Sequence, residues 1–194
     1  LAGPMTFTSN ISTFRLNARP IDTLLLRGTA QMSSLDSDVK LQSGTGQSAA
    51  ALGSGSFNRK IGLYDLDLTY LLFDKLALVG SVRYHAFDQG GDLTAPGATE
   101  ASDFGFETLG VEGGLQWQVS PKLSLTGGYR REERKLSGAT EDPESETGVE
   151  GFETVSYTDT TVRRGFFGNL RWGLKNLKLT ADYQHGDTDD PFTM

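Results

Sequence analysis

Few residues in this chain have the type and spacing for covalent or metal chemistry. The only histidines are His85 and His185, and there is no cysteine. That removes thiol nucleophiles, disulfide frameworks, the usual structural zinc sites and an all-histidine metal centre. A Ser-His-Asp grouping can be written from Ser81, His85 and Asp88, but a triad is defined by geometry and not by spacing, so no catalytic residue is assigned. The run "GDTDDP", with Asp187, Asp189 and Asp190, lacks the ligand spacing of a recognised calcium loop, so no metal site is assigned either. Gly110, Gly113 and Gly114 in "LGVEGGLQW" are not a phosphate loop, because no helix-forming segment follows to offer its N-terminus. What remains is basic. Arg27, Arg83, Arg130, Arg163 and Arg171 recur among Asp67, Glu112 and Asp182. Guanidiniums gathered on one surface favour anions, or they pair with those carboxylates as an internal salt-bridge network, and both readings stand.

The composition of the 194 residues sets further limits. Lys plus Arg is 18 against 25 for Asp plus Glu, a net charge of −7 and a pI near 4.8. A nucleic-acid partner is excluded, since phosphate contacts need a basic surface. Hydrophobic residues make up 37% of the chain, so a thick core covered by helices would be hard to fill. The longest apolar runs, such as Leu24 to Leu26 and Leu71 to Phe73, are far too short for a helix to cross a bilayer. A transmembrane β-barrel stays open, because its strands alternate lipid-facing and lumen-facing residues and give a weak signal per segment.

A repeat of period 2 runs through the chain. "TLLLRGTAQ" from Thr23, "KLALVGSVRYH" from Lys75, "KLSLTGGYRRE" from Lys122 and "NLKLTADYQHG" from Asn176 share one pattern, Leu-x-Leu-x-small. Alternate residues of a strand share a face, so Leu76, Leu78, Gly80, Val82 and Tyr84 line one side while Ser81, Arg83 and His85 line the other. Each copy follows a short turn signal, "RPID", "FDK", "SPK" or "GLKN", and before each turn lies a second alternating segment. The expectation is all-β: eight antiparallel strands near 6–18, 23–33, 61–72, 75–87, 104–119, 122–136, 155–172 and 176–186, in four hairpins of an up-and-down transmembrane β-barrel forming one segment over 1–194. Long polar connections are expected over 33–58, 88–103 and 137–153. Short turns at one end and long loops at the other are the asymmetry of an outer-membrane barrel.

Aromatic and charged residues follow the same frame. Tyr70, Trp117 and Trp172 fall on the apolar face shortly before a turn, and Tyr84, Tyr129 and Tyr183 on that face toward the other end. These six are expected to form two girdles at the membrane interfaces, where amphipathic rings settle. The opposite face, with Arg27, Arg83, Glu112, Arg130, Arg163, Arg171 and Asp182, is expected to line a pore. The acidic residues concentrate in the long connections and the tail, leaving the strands and turns net basic. Arg131, Arg134 and Lys135, just past Tyr129, are expected to meet lipopolysaccharide phosphates.

The hairpins "LGVEGGLQWQVSPKLSLTGGYRREER" and "GFFGNLRWGLKNLKLTADYQHGD" resemble those of large bacterial outer-membrane porin-like barrels, in which an aromatic-ended strand, a short turn and a Leu-x-Leu strand recur. The resemblance covers nearly all the chain. It implies location in the outer membrane of a Gram-negative bacterium, contact with lipid bilayer and lipopolysaccharide, no cofactor, no enzymatic activity, and either passive diffusion of small hydrophilic solutes or a structural barrel wall. The chain is also similar to barrels that sheathe multihaem electron-transfer cytochromes, although it contains no Cys-x-x-Cys-His. Eight-stranded outer-membrane hydrolases and acyltransferases, with catalytic residues at the outer rim, give the other alternative. Four short turns and three long loops place both ends of the sequence on the loop side, so an internal fragment of a larger barrel is expected. The opening "LAGPMTFTSN" reads as neither a signal peptide nor an initiating segment, and "DDPFTM" lacks a closing aromatic strand.

Overall fold

The computed structural model describes residues 5–43, 50–95, 98–142, 153–174 and 177–189. Among them every element is a strand: β1 (Met5–Ile21), β2 (Leu24–Ser43), β3 (Ala50–Phe73), β4 (Leu76–Ala95), β5 (Ala98–Ser120), β6 (Leu123–Asp142), β7 (Glu153–Leu174) and β8 (Leu177–Asp189). They pair antiparallel in the order β1-β2-β3-β4-β5-β6-β7-β8, the up-and-down arrangement that short hairpin turns dictate. Turns fall at Asp22–Thr23, Asp74–Lys75 and Pro121–Lys122. In the first, the Arg19 guanidinium donates to the Asp22 carbonyl from Nε at 3.2 Å and from Nη2 at 2.6 Å. The turn expected at "GLKN" is bracketed by Leu174 and Leu177, which pair directly, while residues 175 and 176 lie outside the described residues.

The hairpins are staggered by a constant step. The backbone N–H groups of Leu71, Gln118 and Gly173 donate to the carbonyls of Thr23, Lys75 and Lys122, each at 2.7 Å. Each acceptor belongs to a turn, and each donor lies on the incoming strand of the next hairpin. A repeated offset of this kind is how a closing sheet acquires its strand tilt and shear.

One expectation needs correction. The strands run well past their expected ends on the loop side: β2 reaches Ser43 instead of about 33, and β3 begins at Ala50 instead of about 61. β4 and β5 are separated only by residues 96–97, where a connection over 88–103 was expected, and β6 and β7 reach to Asp142 and from Glu153. The apolar alternation marks only the stretch in which one face of the strand is apolar. Backbone pairing needs no apolar side chain, so polar segments such as Ser33–Val39 continue the ladder against Gly55–Ile61. Roughly ten tilted residues suffice to cross a bilayer, and strands of 20 to 24 residues such as β2, β3 and β4 are about twice that length. The sheet is not closed on itself. Among the described residues β1 pairs only with β2 and β8 only with β7, so these eight strands are an open sheet.

The sheet has no conventional core. Ala77 and Ser37 are the buried side chains among the described residues, while Phe14, Leu66, Leu115, Trp117 and Phe166 are exposed. A soluble β-sandwich would bury these between two layers, and this single sheet leaves them exposed. Cross-strand register collects them instead on one side: Phe14 opposes Ala30, Ala30 opposes Tyr64, Tyr64 opposes Tyr84, and Tyr84 opposes Leu109. Bulky rings fit among glycines on this face. Tyr129 lies opposite Gly113 and Tyr183 opposite Gly168, and a Cβ at either glycine would meet no atom within 4 Å.

Candidate functional site

Strand alternation puts all seven residues expected to line a pore on one face, opposite the apolar one. Register then adds what alternation cannot supply, the identity of the neighbour across each strand. Arg27 faces Asp67, Arg83 faces Asp65, Glu112 faces Arg130, and Glu132 faces Arg163. These four opposite-charge positions form two adjacent rows crossing the sheet. One of them closes into an ion pair, Arg83 Nε to Asp65 Oδ1 at 3.9 Å, with both side chains well exposed. Exposed pairs of this geometry contribute about 0–1 kcal/mol each. Arg130 donates instead to the Gln184 side-chain carbonyl, and Asp182 accepts from the Asn169 amide. Arg171 lies between Ser124 and Thr180.

Of the two sequence readings of the arginines, pairing with carboxylates has a structural counterpart in part. Arg27, Arg83, Arg130 and Arg163 each have an acid opposite, whereas Arg15, Arg59, Arg134 and Arg171 have none. The expected partners were Asp67, Glu112 and Asp182. The structure adds Asp65 and Glu132 and gives Asp182 to an asparagine. The wet face is a mixed ionic surface with a modest excess of positive charge.

The aromatic positions repeat with the hairpin step. Tyr70 opposes both Leu24 and Leu78, Trp117 both Leu76 and Leu125, and Trp172 both Leu123 and Leu179. Each sits beside the first residues of an outgoing strand and next to one of the turn-bonded residues Leu71, Gln118 and Gly173. Toward the other end, Tyr84 packs on Tyr64 with ring centroids 6.0 Å apart, and Tyr129 meets Phe166 edge-on at 5.4 Å. Tyr183 is 65% exposed on the same face. Loopward of these rings the outer face turns charged. Arg131 and Lys135 both contact Glu133, at 2.9 and 3.6 Å, and Arg131 opposes Arg164, which is itself paired with Asp189.

Alternation corrects one expectation and parts one grouping that the sequence left unassigned. Arg134 projects to the wet face, away from Arg131 and Lys135, so it cannot share their partner. Ser81 and His85 lie on the wet face but Asp88 on the other, so the triad on paper does not assemble. Asp189 is engaged by Arg164, and Asp190 lies outside the described residues.

One cluster was missed from sequence. On the wet face, loopward of the ionic rows, Phe87 stacks on Phe106 with centroids 5.2 Å apart and a 10° interplanar angle. Phe104 meets Phe87 edge-on at 6.0 Å, and the Arg134 guanidinium carbon lies 5.2 Å from the centre of the Phe106 ring. Ile61 and Leu136 extend this row on either side. The signal was "FGF" at Phe104 to Phe106, whose rings share the parity of Glu112 and not of Trp117.

No protein-family model matches the sequence, and no curated protein is similar to it in sequence. In fold, the chain is similar to the closed form of the ferric-catecholate import receptor Fiu from E. coli, at TM-score 0.60 and 14% identity over 94% of this chain and 33% of that one. It is similar to the RagAB peptide transporter at TM-score 0.58, with 8% identity over 95% of this chain and 28% of that one. The copper transporter OprC matches at TM-score 0.52, with 13% identity over 96% and 37%. All are bacterial outer-membrane β-barrel proteins, and the chain spans about a third of their length. It has the all-β, antiparallel, up-and-down fold of an outer-membrane barrel wall.

Proposed function

We propose that these strands are a segment of the wall of a larger β-barrel in the outer membrane of a Gram-negative bacterium, with the wet face lining an aqueous interior through which small hydrophilic solutes diffuse. The observation that carries this reading is the register, which gathers the apolar residues on one face and the ionic rows on the other across all eight strands. The free edges of β1 and β8 support the larger barrel. Each unpaired backbone group in hydrocarbon costs several kcal/mol, so further strands complete the ladder. Eight strands closing alone would fill the interior with side chains, whereas a wider barrel leaves the ionic rows in water. Tyr70, Trp117 and Trp172 then mark one membrane interface and Tyr84, Tyr129 and Tyr183 the other. Arg131 and Lys135, just beyond, are placed to meet lipopolysaccharide phosphates. No catalytic role is part of this reading.

Conductance tests it. The full-length protein in planar bilayers is expected to give steady, salt-dependent openings with a modest anion preference, from the arginines with no acid opposite. Joint Arg83→Glu and Arg130→Glu replacement puts carboxylates where two guanidiniums stood, and moves the reversal potential toward cation selectivity without loss of assembly. A silent bilayer would leave a structural wall and remove the diffusion channel.

A further inference from the structure

Where β6, β7 and β8 lie side by side, the wet face holds a depression of about 340 Å³, within the size range of small-molecule sites. Its floor is bare backbone. Gly165 and Gly186 face each other directly. A Cβ on Gly165 would lie 2.6 Å from the Gly186 Cα, and one on Gly186 would lie 2.9 Å from the Gly165 Cα, so neither position accepts a side chain. The rim is polar. Register places Arg130 opposite Gly165, and Arg163 opposite both Glu132 and Thr188. Gln184, two residues turnward of Gly186, shares the face by alternation. All five of these polar side chains belong to residues that line the depression.

The two guanidiniums are not neutralised where register would allow it. Glu112 faces Arg130 and Glu132 faces Arg163. Yet the ion pairs among the described residues are Arg83–Asp65, Arg131–Glu133, Lys135–Glu133 and Arg164–Asp189, and neither Arg130 nor Arg163 enters one. Arg130 turns from Glu112 and reaches across β7, where Gly165 leaves the way clear, to donate through Nη2 to the Gln184 side-chain carbonyl. That bond holds one fork beside the floor and uses one of its five N–H donors. Arg163, whose side chain is exposed, is the diagonal neighbour of Arg130, about 7–8 Å away between backbones and within reach of long side chains. Two donor forks and the Thr188 hydroxyl therefore border one space. We propose that this depression binds a phosphate group, free or carried as the monoester of a small solute. Guanidinium forks match the oxygens of carboxylates and phosphates alike, but two forks and a hydroxyl suit the several oxygens of a phosphate better than the two of a carboxylate. With two guanidiniums against the single Glu132 carboxylate on the rim, the local field is positive, and a dianion gains twice what a monoanion gains. The site deepens the reading of the wet face as a solute-accessible interior, and rests on it.

Titration calorimetry on the full-length protein in detergent tests the site without requiring conduction. The probes are inorganic phosphate, glycerol 3-phosphate and acetate, at about pH 8, where phosphate and its monoesters are dianions. Either phosphate is expected to bind about tenfold tighter than acetate, and the tighter of the two identifies free phosphate or a monoester as the natural form. Arg130→Gln and Arg163→Gln should each weaken phosphate binding about tenfold. Glu132→Gln removes the repelling carboxylate and should tighten it about threefold, a gain that no folding defect would produce. Arg15→Gln removes a wet-face guanidinium on β1, outside the depression, and should leave phosphate affinity unchanged. Heat-modifiable gel migration confirms that each variant is assembled. Equal affinity for phosphate and acetate would overturn the site. So would an Arg15→Gln loss as large as that of Arg163→Gln, which would mark a diffuse positive field. Openings in a bilayer with no phosphate binding would remove the site and keep the channel. Phosphate binding with a silent bilayer would keep the site and remove the channel.

Discussion

Arginine in place of Leu66 or Leu115 is expected to abolish or strongly reduce assembly of the barrel. Leu66 lies between Gly28 and Val82, and Leu115 between Leu78 and Gly127, on the apolar face. Both are close to half exposed, at 45% and 48%, so in the membrane their surface meets lipid and not protein. Leu66 lies between Tyr64 and Tyr70 along β3, and Leu115 lies just loopward of Trp117, which puts both inside the band that the girdles bound. An arginine on the lipid face costs about 2–4 kcal/mol near the midplane and falls toward zero at the interfaces. The comparison residue is Thr126, on the wet face opposite Gln116 and Asn169, where arginine is solvated and assembly is retained. Folding into lipid vesicles, followed by heat-modifiable migration, measures all three. If Thr126→Arg blocked assembly while the leucine variants folded normally, the two faces would be assigned the wrong way round.

Valine at Gly128 is the second large effect. On the wet face Gly128 opposes Gly114, and a Cβ there would overlap the Gly113 carbonyl oxygen and lie 2.6 Å from the Gly114 Cα. The obstruction is backbone, which no rotamer change relieves. Forcing the strands apart costs about 1–3 kcal/mol or more. Gly113, the residue before Gly114 on β5, faces the other side of the sheet, and a Cβ added to it would find no atom within 4 Å. Gly113→Ala is therefore expected to fold as the parent does. Urea unfolding in lipid vesicles separates them. A Gly128→Val variant with unchanged midpoint would show that β5 and β6 are not as close as their register requires.

Much of this molecule is legible from its residues taken in order. The alternation in "KLALVGSVRYH" specifies a strand and assigns Leu78 and Arg83 to opposite faces, because side-chain direction along a strand is a local property with a period of two. The same rule places Trp117 with Leu115 and Arg130 with Thr126, and the turn residues set where each hairpin reverses. Alternation also suffices to put Arg134 on the wet face, so that error came from grouping residues by sequence proximity, and it parts Asp88 from His85, in line with leaving the triad unassigned.

Other features exist only between strands. Arg83 meets Asp65 and not Asp67, Gly128 meets Gly114, and Arg130 reaches Gln184 because register brings three separate strands into line. Sequence separation carries no information about that offset, which is set by the staggered turns and by the fit of each whole strand against its neighbour. The length of the strands was hidden for a related reason. Hydrophobic patterning reports where one face of a strand is apolar, whereas the hydrogen-bonded ladder continues wherever the neighbouring strand continues, and only the paired sheet shows how far that is.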